Sequence, residues 1–126
     1  MNLDRHEVLS NLRRMDEYNF EHFIADLWEK QGWNTKVSQA SKDRGVDVIA
    51  KKSSPFPQKH LLQVKRYNSG NTVGVREIRE YSSLKNRDNV DSVIIVTTSS
   101  FTKSAKTEAD SLNVKLIDCS NIIDII

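Results

Sequence analysis

A chain of 126 residues with 37% hydrophobic residues, 29% charged residues, 4 glycines and 2 prolines has the make-up of one globular domain, not of a disordered or fibrous chain. No run approaches the roughly 18 apolar residues that span a bilayer, and the charged stretch Met1 to Met15 lacks the apolar segment of a secretion signal, so a cytoplasmic protein with no membrane partner is expected. The single cysteine, Cys119, excludes an internal disulfide and a cysteine-built metal cluster.

The first predicted element is an amphipathic helix over roughly Arg5 to Arg14, in an N-terminal extension covering residues 1–15 of a single domain. From Asp16 to Gln31, Phe20, Phe23, Ile24, Leu27 and Trp28 recur at helical spacing. Asp16 is placed to cap this helix and Gly32 to stop it. Strands follow at Trp33 to Ser38, Val46 to Lys51 and Leu61 to Arg66. The connection between the last two carries Pro55 and Pro57, which suits an antiparallel hairpin with Phe56 at its tip. A helix is predicted from about Val73 to Lys85. Ser92 to Thr97 is a continuous β-branched run, the mark of a strand buried on both faces. Thr98, Ser99 and Ser100 offer hydroxyls to cap a helix over Thr102 to Leu112. Val114 to Ile117 reads as a last strand and Asn121 to Ile126 as a terminal helical turn. The order α-α-β-β-β-α-β-α-β implies an α/β domain, a mixed sheet flanked by helices on both faces.

Charge is spread unevenly along the chain. Nine basic residues and two acidic ones lie between Lys51 and Arg87, although the whole chain carries a net charge of only +2. This asymmetry suits a polyanionic partner, and Lys51, Lys52, Arg66, Arg76 and Arg79, with Tyr67 beside them, are the candidate DNA contacts. Local pairing of Arg76, Glu77, Arg79 and Glu80 on a solvated helix is the plainer reading. His6, His22 and His60 show no metal-ligand spacing and read as surface or capping residues. Trp28 and Trp33 read as core.

Two segments carry the chemistry, Gly45-Val46-Asp47-Val48-Ile49-Ala50 and Gln63-Val64-Lys65-Arg66-Tyr67. Gln63 and Lys65 lie on one face of their strand, about 7 Å apart. Asp47 is expected to project away from a face shared by Val46 and Val48. A suitable hairpin register then brings Asp47, Gln63 and Lys65 together. A carboxylate that holds a divalent metal, next to a lysine that orients water and offsets charge on phosphate, makes the minimum of a metal-dependent phosphodiesterase. Plainer readings stand beside this one. Asp47 could end a strand at the surface, and Gln63 and Lys65 could be the solvent face of an edge strand. Glu21 could merely favour its helix dipole, and Tyr67 could simply pack.

Phe20-Glu21, Asp43-Arg44-Gly45-Val46-Asp47, Gln63-Val64-Lys65-Arg66-Tyr67, Val75-Arg76-Glu77 and Thr97-Thr98-Ser99-Ser100-Phe101-Thr102 together resemble the Mrr-like restriction endonuclease domain of the PD-(D/E)XK nuclease superfamily. The likeness runs from about Asp16 to Ile117. It implies a restriction-endonuclease-like fold and a magnesium-dependent endonuclease cutting DNA, with a role in DNA restriction-modification. Carried over to this chain, it makes Asp47 the principal metal-binding carboxylate and places Gln63 where most of the superfamily has an acid. Lys65 becomes the residue that positions the attacking water, and Glu21 approaches from the helix. The Val64 carbonyl joins Asp47 and Gln63 as a further metal ligand. Magnesium fits such an oxygen-rich site, and manganese can substitute. Arg44 departs from the glycine often found at its place. A single domain carries few base-reading elements, so a homodimer or a partner subunit is expected. Rival readings are a Holliday-junction resolvase-like nuclease, a DNA-binding module with an inactive site, and a structural subunit of a larger system.

Overall fold

The computed structural model describes residues 4–38, 46–68, 70–87 and 89–126. Helix α1 spans Arg5–Arg14, and its N-cap Asp4 accepts the His6 and Glu7 N–H groups at 3.0 and 3.3 Å. Helix α2 spans Glu17–Glu29. Asp16 caps it as the sequence predicts, accepting the Asn19 N–H at 2.7 Å and so satisfying a donor that has no partner within the helix. After α2, Gly32 adopts a φ of +95°, a left-handed conformation that a side chain would strain, and turns the chain into strand β1, Asn34–Val37.

Strands β2 (Val48–Lys52) and β3 (Gln58–Lys65) form the predicted hairpin, with Phe56 70% exposed at its tip. Helix α3 (Val75–Ser82) runs into a short 3-10 turn over Ser83–Asn86. Strand β4 (Ser92–Thr97), helix α4 (Lys103–Leu112), strand β5 (Lys115–Ile117) and helix α5 (Cys119–Ile125) complete the chain. The five strands lie in the order β1-β2-β3-β4-β5. The first three pair antiparallel and the last three parallel. This is the mixed sheet expected, in the element order expected.

Each face of the sheet has its own core. Val48, Ala50, Leu62, Val64, Ile94 and Val96 pack against Phe20, Ile24 and Trp28 of α2, with Leu12 of α1 and Ile122 of α5. Leu61, Val93 and Ile95 face the other way, toward Ile78 and Tyr81 of α3 and Ala105 and Ala109 of α4. The alternation along β3 and β4 is that of strands buried on both faces.

The structure changes several local expectations. β3 is the central strand and Gln63 is buried, so the edge-strand reading of Gln63 and Lys65 is overturned. Helix α4 is capped by Thr102, whose hydroxyl accepts the Ala105 N–H, and not by the three hydroxyl residues before it. His60 is no surface residue: half-buried, it stacks on Trp33 with ring centres 4.2 Å apart, and Trp33 is itself only partly covered. Asp43, Arg44 and Gly45 lie outside the described residues.

Candidate active site

Asp47 sits where the sheet changes its rule. In an extended strand a residue's N–H and C=O point to the same side. Asp47 breaks this pattern. Its N–H donates to the Leu62 C=O of β3 at 2.9 Å, while its C=O accepts the Ser38 N–H on the β1 side at 2.8 Å. Leu62 is also the Cα partner of Val48, so Asp47 and Val48 both stand opposite one residue. The side-chain pattern agrees. Val46 packs in the α3–α4 core and Val48 in the α2 core, where strict alternation would put them together. This is the arrangement of a β-bulge, which re-aims a side chain and ends regular pairing. It explains why β2 begins at Val48, and it corrects the expectation that Val46 and Val48 share a face.

The re-aimed carboxylate meets the main chain of β3. Asp47 Oδ2 accepts the Val64 N–H at 2.7 Å, a charge-assisted bond at a point where β2 no longer supplies a partner. The Lys65 C=O accepts the Thr98 N–H on the β4 side, so the Val64 C=O, one residue earlier, turns with its N–H toward Asp47. Gln63 is 6% exposed, and its Oε1 is buried without a hydrogen-bond partner among the described residues. An orphaned buried carbonyl is costly in an ordinary core and calls for an explanation such as an ion. Oxygen donors from Asp47, Gln63 and the Val64 main chain at one strand end fit a hard divalent cation.

Electrostatics mark the same place. Burial pushes the Asp47 carboxyl up, and Glu17 adds to this, while the Val64 N–H and the Lys65 charge pull it down; the net direction is upward. Glu21, one turn after Glu17 on α2, is pushed up to about 7 by burial, by Asp47 and by Glu17. Acids that resist ionisation together form a site that a cation would relieve. Lys65 is half-buried, and burial opposes its charge. Tyr81, Tyr67 and Glu77 outweigh that effect and hold its pKa above the ordinary lysine value.

The structure thus gathers Asp47, the Val64 main chain, Gln63, Lys65 and Glu21 at the C-terminal end of β3. They do not share one sheet face. Gln63 and Lys65 follow Leu61 onto the α3 side, while Asp47, re-aimed at the bulge, feels the Lys65 charge as well as Glu17 and Glu21 of α2. The site lies at the carboxyl end of the parallel strands β3 and β4, where open α/β sheets hold their ligands.

The six candidate DNA contacts are not brought together. Lys51 and Lys52 lie at the far end of β2 from Asp47, and Lys52 donates to the Gln31 C=O and lies over the Trp33 ring. Arg66 donates from Nη1 to the Arg13 C=O at 2.8 Å, and its Nε is buried without a partner among the described residues. Tyr67 donates to Glu77 Oε2 at 3.1 Å. Arg79 pairs with Glu108 at 2.7 Å, and Arg76 is exposed on α3. Sequence reasoning missed Thr98 and Tyr81. The Thr98 hydroxyl accepts the Tyr67 N–H at 2.8 Å and donates to the Tyr67 C=O at 2.6 Å, while its own C=O takes two bonds from Arg13. Nothing in its hydroxyl-rich surroundings singled it out. Tyr81 stands four residues after Glu77, a helical spacing that was available as a signal.

A five-stranded mixed sheet between helical layers, with an acid, an amide and a lysine at the end of its central strand, defines the restriction-endonuclease class of α/β folds. Solved structures share the fold. AspBHI, a DNA modification-dependent restriction endonuclease, superposes with a TM-score of 0.75 at 22% identity, over 96% of this chain and 34% of its own. MspJI, a restriction endonuclease in complex with a 27-mer oligonucleotide, gives 0.74 at 22% identity, over 96% of this chain and 30% of its own. The protein of unknown function AF1548 gives 0.72 at 21% identity, over 83% of this chain and 59% of its own. The chain therefore spans between 30% and 59% of the length of these structures. No curated protein matches it in sequence. The chain belongs to the Mrr_cat restriction endonuclease family, whose model matches residues 12–126. Among the described residues, no helix is long and apolar enough to cross a membrane.

Proposed function

We propose that this chain is a divalent-metal-dependent endonuclease that hydrolyses phosphodiester bonds in DNA through Asp47, Gln63 and Lys65. The observation that carries the reading is the Asp47 carboxylate locked to the Val64 N–H at 2.7 Å, one residue after Gln63, whose Oε1 is buried without a partner among the described residues. Asp47, Gln63 Oε1 and the Val64 C=O would hold the cation, with Glu21 near enough to share in the site. Magnesium is the expected ion, with manganese as a substitute. Held there, a divalent ion would offer positive charge to the phosphate oxygens and lower the pKa of bound water.

The protein's own groups do the rest. The main-chain bond fixes the Asp47 carboxylate in one orientation, so no side-chain freedom is lost on binding. Lys65, held protonated by its tyrosine and glutamate neighbours, lends charge to the phosphate as the water oxygen adds to phosphorus and one P–O ester bond breaks. Glu21 is poised to take or release a proton near neutrality. DNA is the proposed substrate because the family and the fold neighbours are restriction endonucleases. A repair endonuclease from Pyrococcus abyssi shares the fold too, with a TM-score of 0.57 at 20% identity, so the fold alone selects no DNA structure. We propose a homodimer or a partner subunit as the working unit, in the cytoplasm.

The test is cleavage of linear, methylated, flap and four-way-junction DNA with magnesium or manganese. Asp47→Ala and Lys65→Ala proteins that cut as well as the wild type would show the site to be wrong. A second reading, a DNA-binding module with an inactive site, draws on one observation. Among the described residues no group of three or more His, Cys, Asp or Glu side chains is placed to hold a metal. Salt-dependent DNA binding without cleavage on any of these substrates would favour it.

A further inference from the structure

We propose that Tyr81 is the positioning residue for Lys65, its ring fixing where the ammonium group sits relative to Asp47. The inference rests on the reading of Lys65 as the residue that acts on phosphate. Lysine carries its charge on a flexible four-carbon stem with many rotamers, so a catalytic lysine gains from a neighbour that selects one conformation. Here Lys65 Nζ lies 5.0 Å from the centre of the Tyr81 ring, within the reach of a cation–π contact. The ring itself is well anchored. Tyr81 is only 9% exposed and packs in the core that includes Ile78 and Leu84.

A second set of groups acts on the lysine charge. Glu77 precedes Tyr81 by one helical turn on α3 and accepts the Tyr67 hydroxyl at 3.1 Å. Tyr67 is pinned through its backbone by the Thr98 hydroxyl, at 2.8 and 2.6 Å. Tyr81, held from α3, thus lies against the Lys65 ammonium, and Tyr67, held from the end of β4, acts on its charge. Lys65 itself is half-buried at the last residue of β3. Neither Tyr81 nor Glu77 contributes a metal-binding oxygen in the proposed mechanism, so their effect is on the placement of Lys65 and not on the ion.

Two variants separate placement from folding. In Tyr81→Leu an apolar residue stays in the core but the ring is lost; in Tyr81→Phe the ring remains. With saturating DNA and metal, Tyr81→Leu should lower kcat on the order of 10- to 100-fold while KM stays within about twofold. Tyr81→Phe keeps the ring but loses the hydroxyl that also acts on the Lys65 ammonium, so its kcat should lie between those of the wild type and Tyr81→Leu. Protein carrying 13C-labelled lysine gives a readout free of catalysis. The Lys65 ε-methylene signal, assigned by its loss in Lys65→Arg, should be shifted upfield by the ring in wild type and Tyr81→Phe, and return to the position of the exposed lysines in Tyr81→Leu. An unshifted Lys65 signal in the wild type, an unchanged kcat in Tyr81→Leu, or a Tyr81→Phe as impaired as Tyr81→Leu would each overturn the proposal. If Tyr81→Leu does not fold, the wild-type and Tyr81→Phe spectra decide alone. A shifted signal in a wild-type protein that cuts no DNA would support the contact and remove the nuclease reading instead.

Discussion

The Asp47 carboxylate and the Val64 N–H are joined at 2.7 Å in the place where a neighbouring strand's carbonyl would stand. One side chain therefore completes the sheet and faces the proposed metal position at once. These two roles can be told apart. Asp47→Asn keeps an acceptor for Val64, whereas Asp47→Ala leaves that N–H without one, at a cost of about 1–3 kcal/mol. Both should lose metal-dependent cleavage. Urea denaturation should find Asp47→Asn at least as stable as the wild type, since it removes a charge that burial disfavours, and Asp47→Ala less stable but folded. Equal stability of the two variants would contradict the structural role.

The acids on α2 predict an unusual pH dependence. The folded pKa of Glu21 is about 7 against an ordinary value of 4.5, so between these values the native state holds more protons than the unfolded chain. Stability must then fall as pH rises through that window and level off above about 7. Asp47, also raised, adds a fall of the same sign. Urea midpoints measured from about pH 5 to about pH 8 should decline in the wild type and decline less in Glu21→Gln. A wild-type midpoint that rises over this range would refute the assignment.

Gln63 predicts opposite responses to two substitutions. Gln63→Met keeps the length of the side chain and removes the orphaned oxygen, so metal-free stability should hold or rise while manganese affinity falls. Gln63→Glu puts an acid at a buried position one residue from the main-chain N–H that Asp47 binds. Without metal it should be destabilised by like-charge repulsion and burial, and with manganese it should bind more tightly, by roughly tenfold. Calorimetric titration with manganese, paired with thermal melts, reads both effects. Weaker manganese binding by Gln63→Glu would sink the ligand assignment.

Arg66 and Arg76 should behave as different kinds of arginine. Arg66 ties β3 to the Arg13 carbonyl, so Arg66→Ala should lower stability by about 1 kcal/mol through loss of that bond. Arg76 is exposed on α3, and Arg76→Ala should leave the melting temperature unchanged. If Arg76 touches a phosphate, its loss lowers the salt slope of DNA binding by about one. Anisotropy titrations of labelled duplex at several salt concentrations, on metal-free protein, supply the check. An unchanged slope in Arg76→Ala would remove it from the interface.

Elements with a strong period are legible in the sequence itself. Phe20 to Trp28 announced α2 and Ser92 to Thr97 announced β4, because helical spacing and β-branched runs are local properties. Asp16 was legible as a cap for the same reason. The bulge at Asp47 was not, since it arises from pairing with Ser38 and Leu62, residues remote in sequence. The setting of Lys65 with Tyr67, Tyr81 and Thr98 was hidden likewise: it depends on the parallel crossover that lays β4 beside β3. Charge alone did not show that Arg66 and Lys52, candidate DNA contacts, donate to the Arg13 and Gln31 carbonyls.

The bulge has a consequence for how related chains are compared. The position of the acid is set by how many residues stand opposite Leu62, not only by which residues they are. A relative could carry the aspartate, the glutamine and the lysine and still be inert through the gain or loss of one amino acid between Val46 and Val48. Such a change would rotate the carboxylate out of reach of the Val64 main chain while both hydrophobic layers survived. Spacing across that short stretch is therefore a better guide to activity than the motif letters themselves.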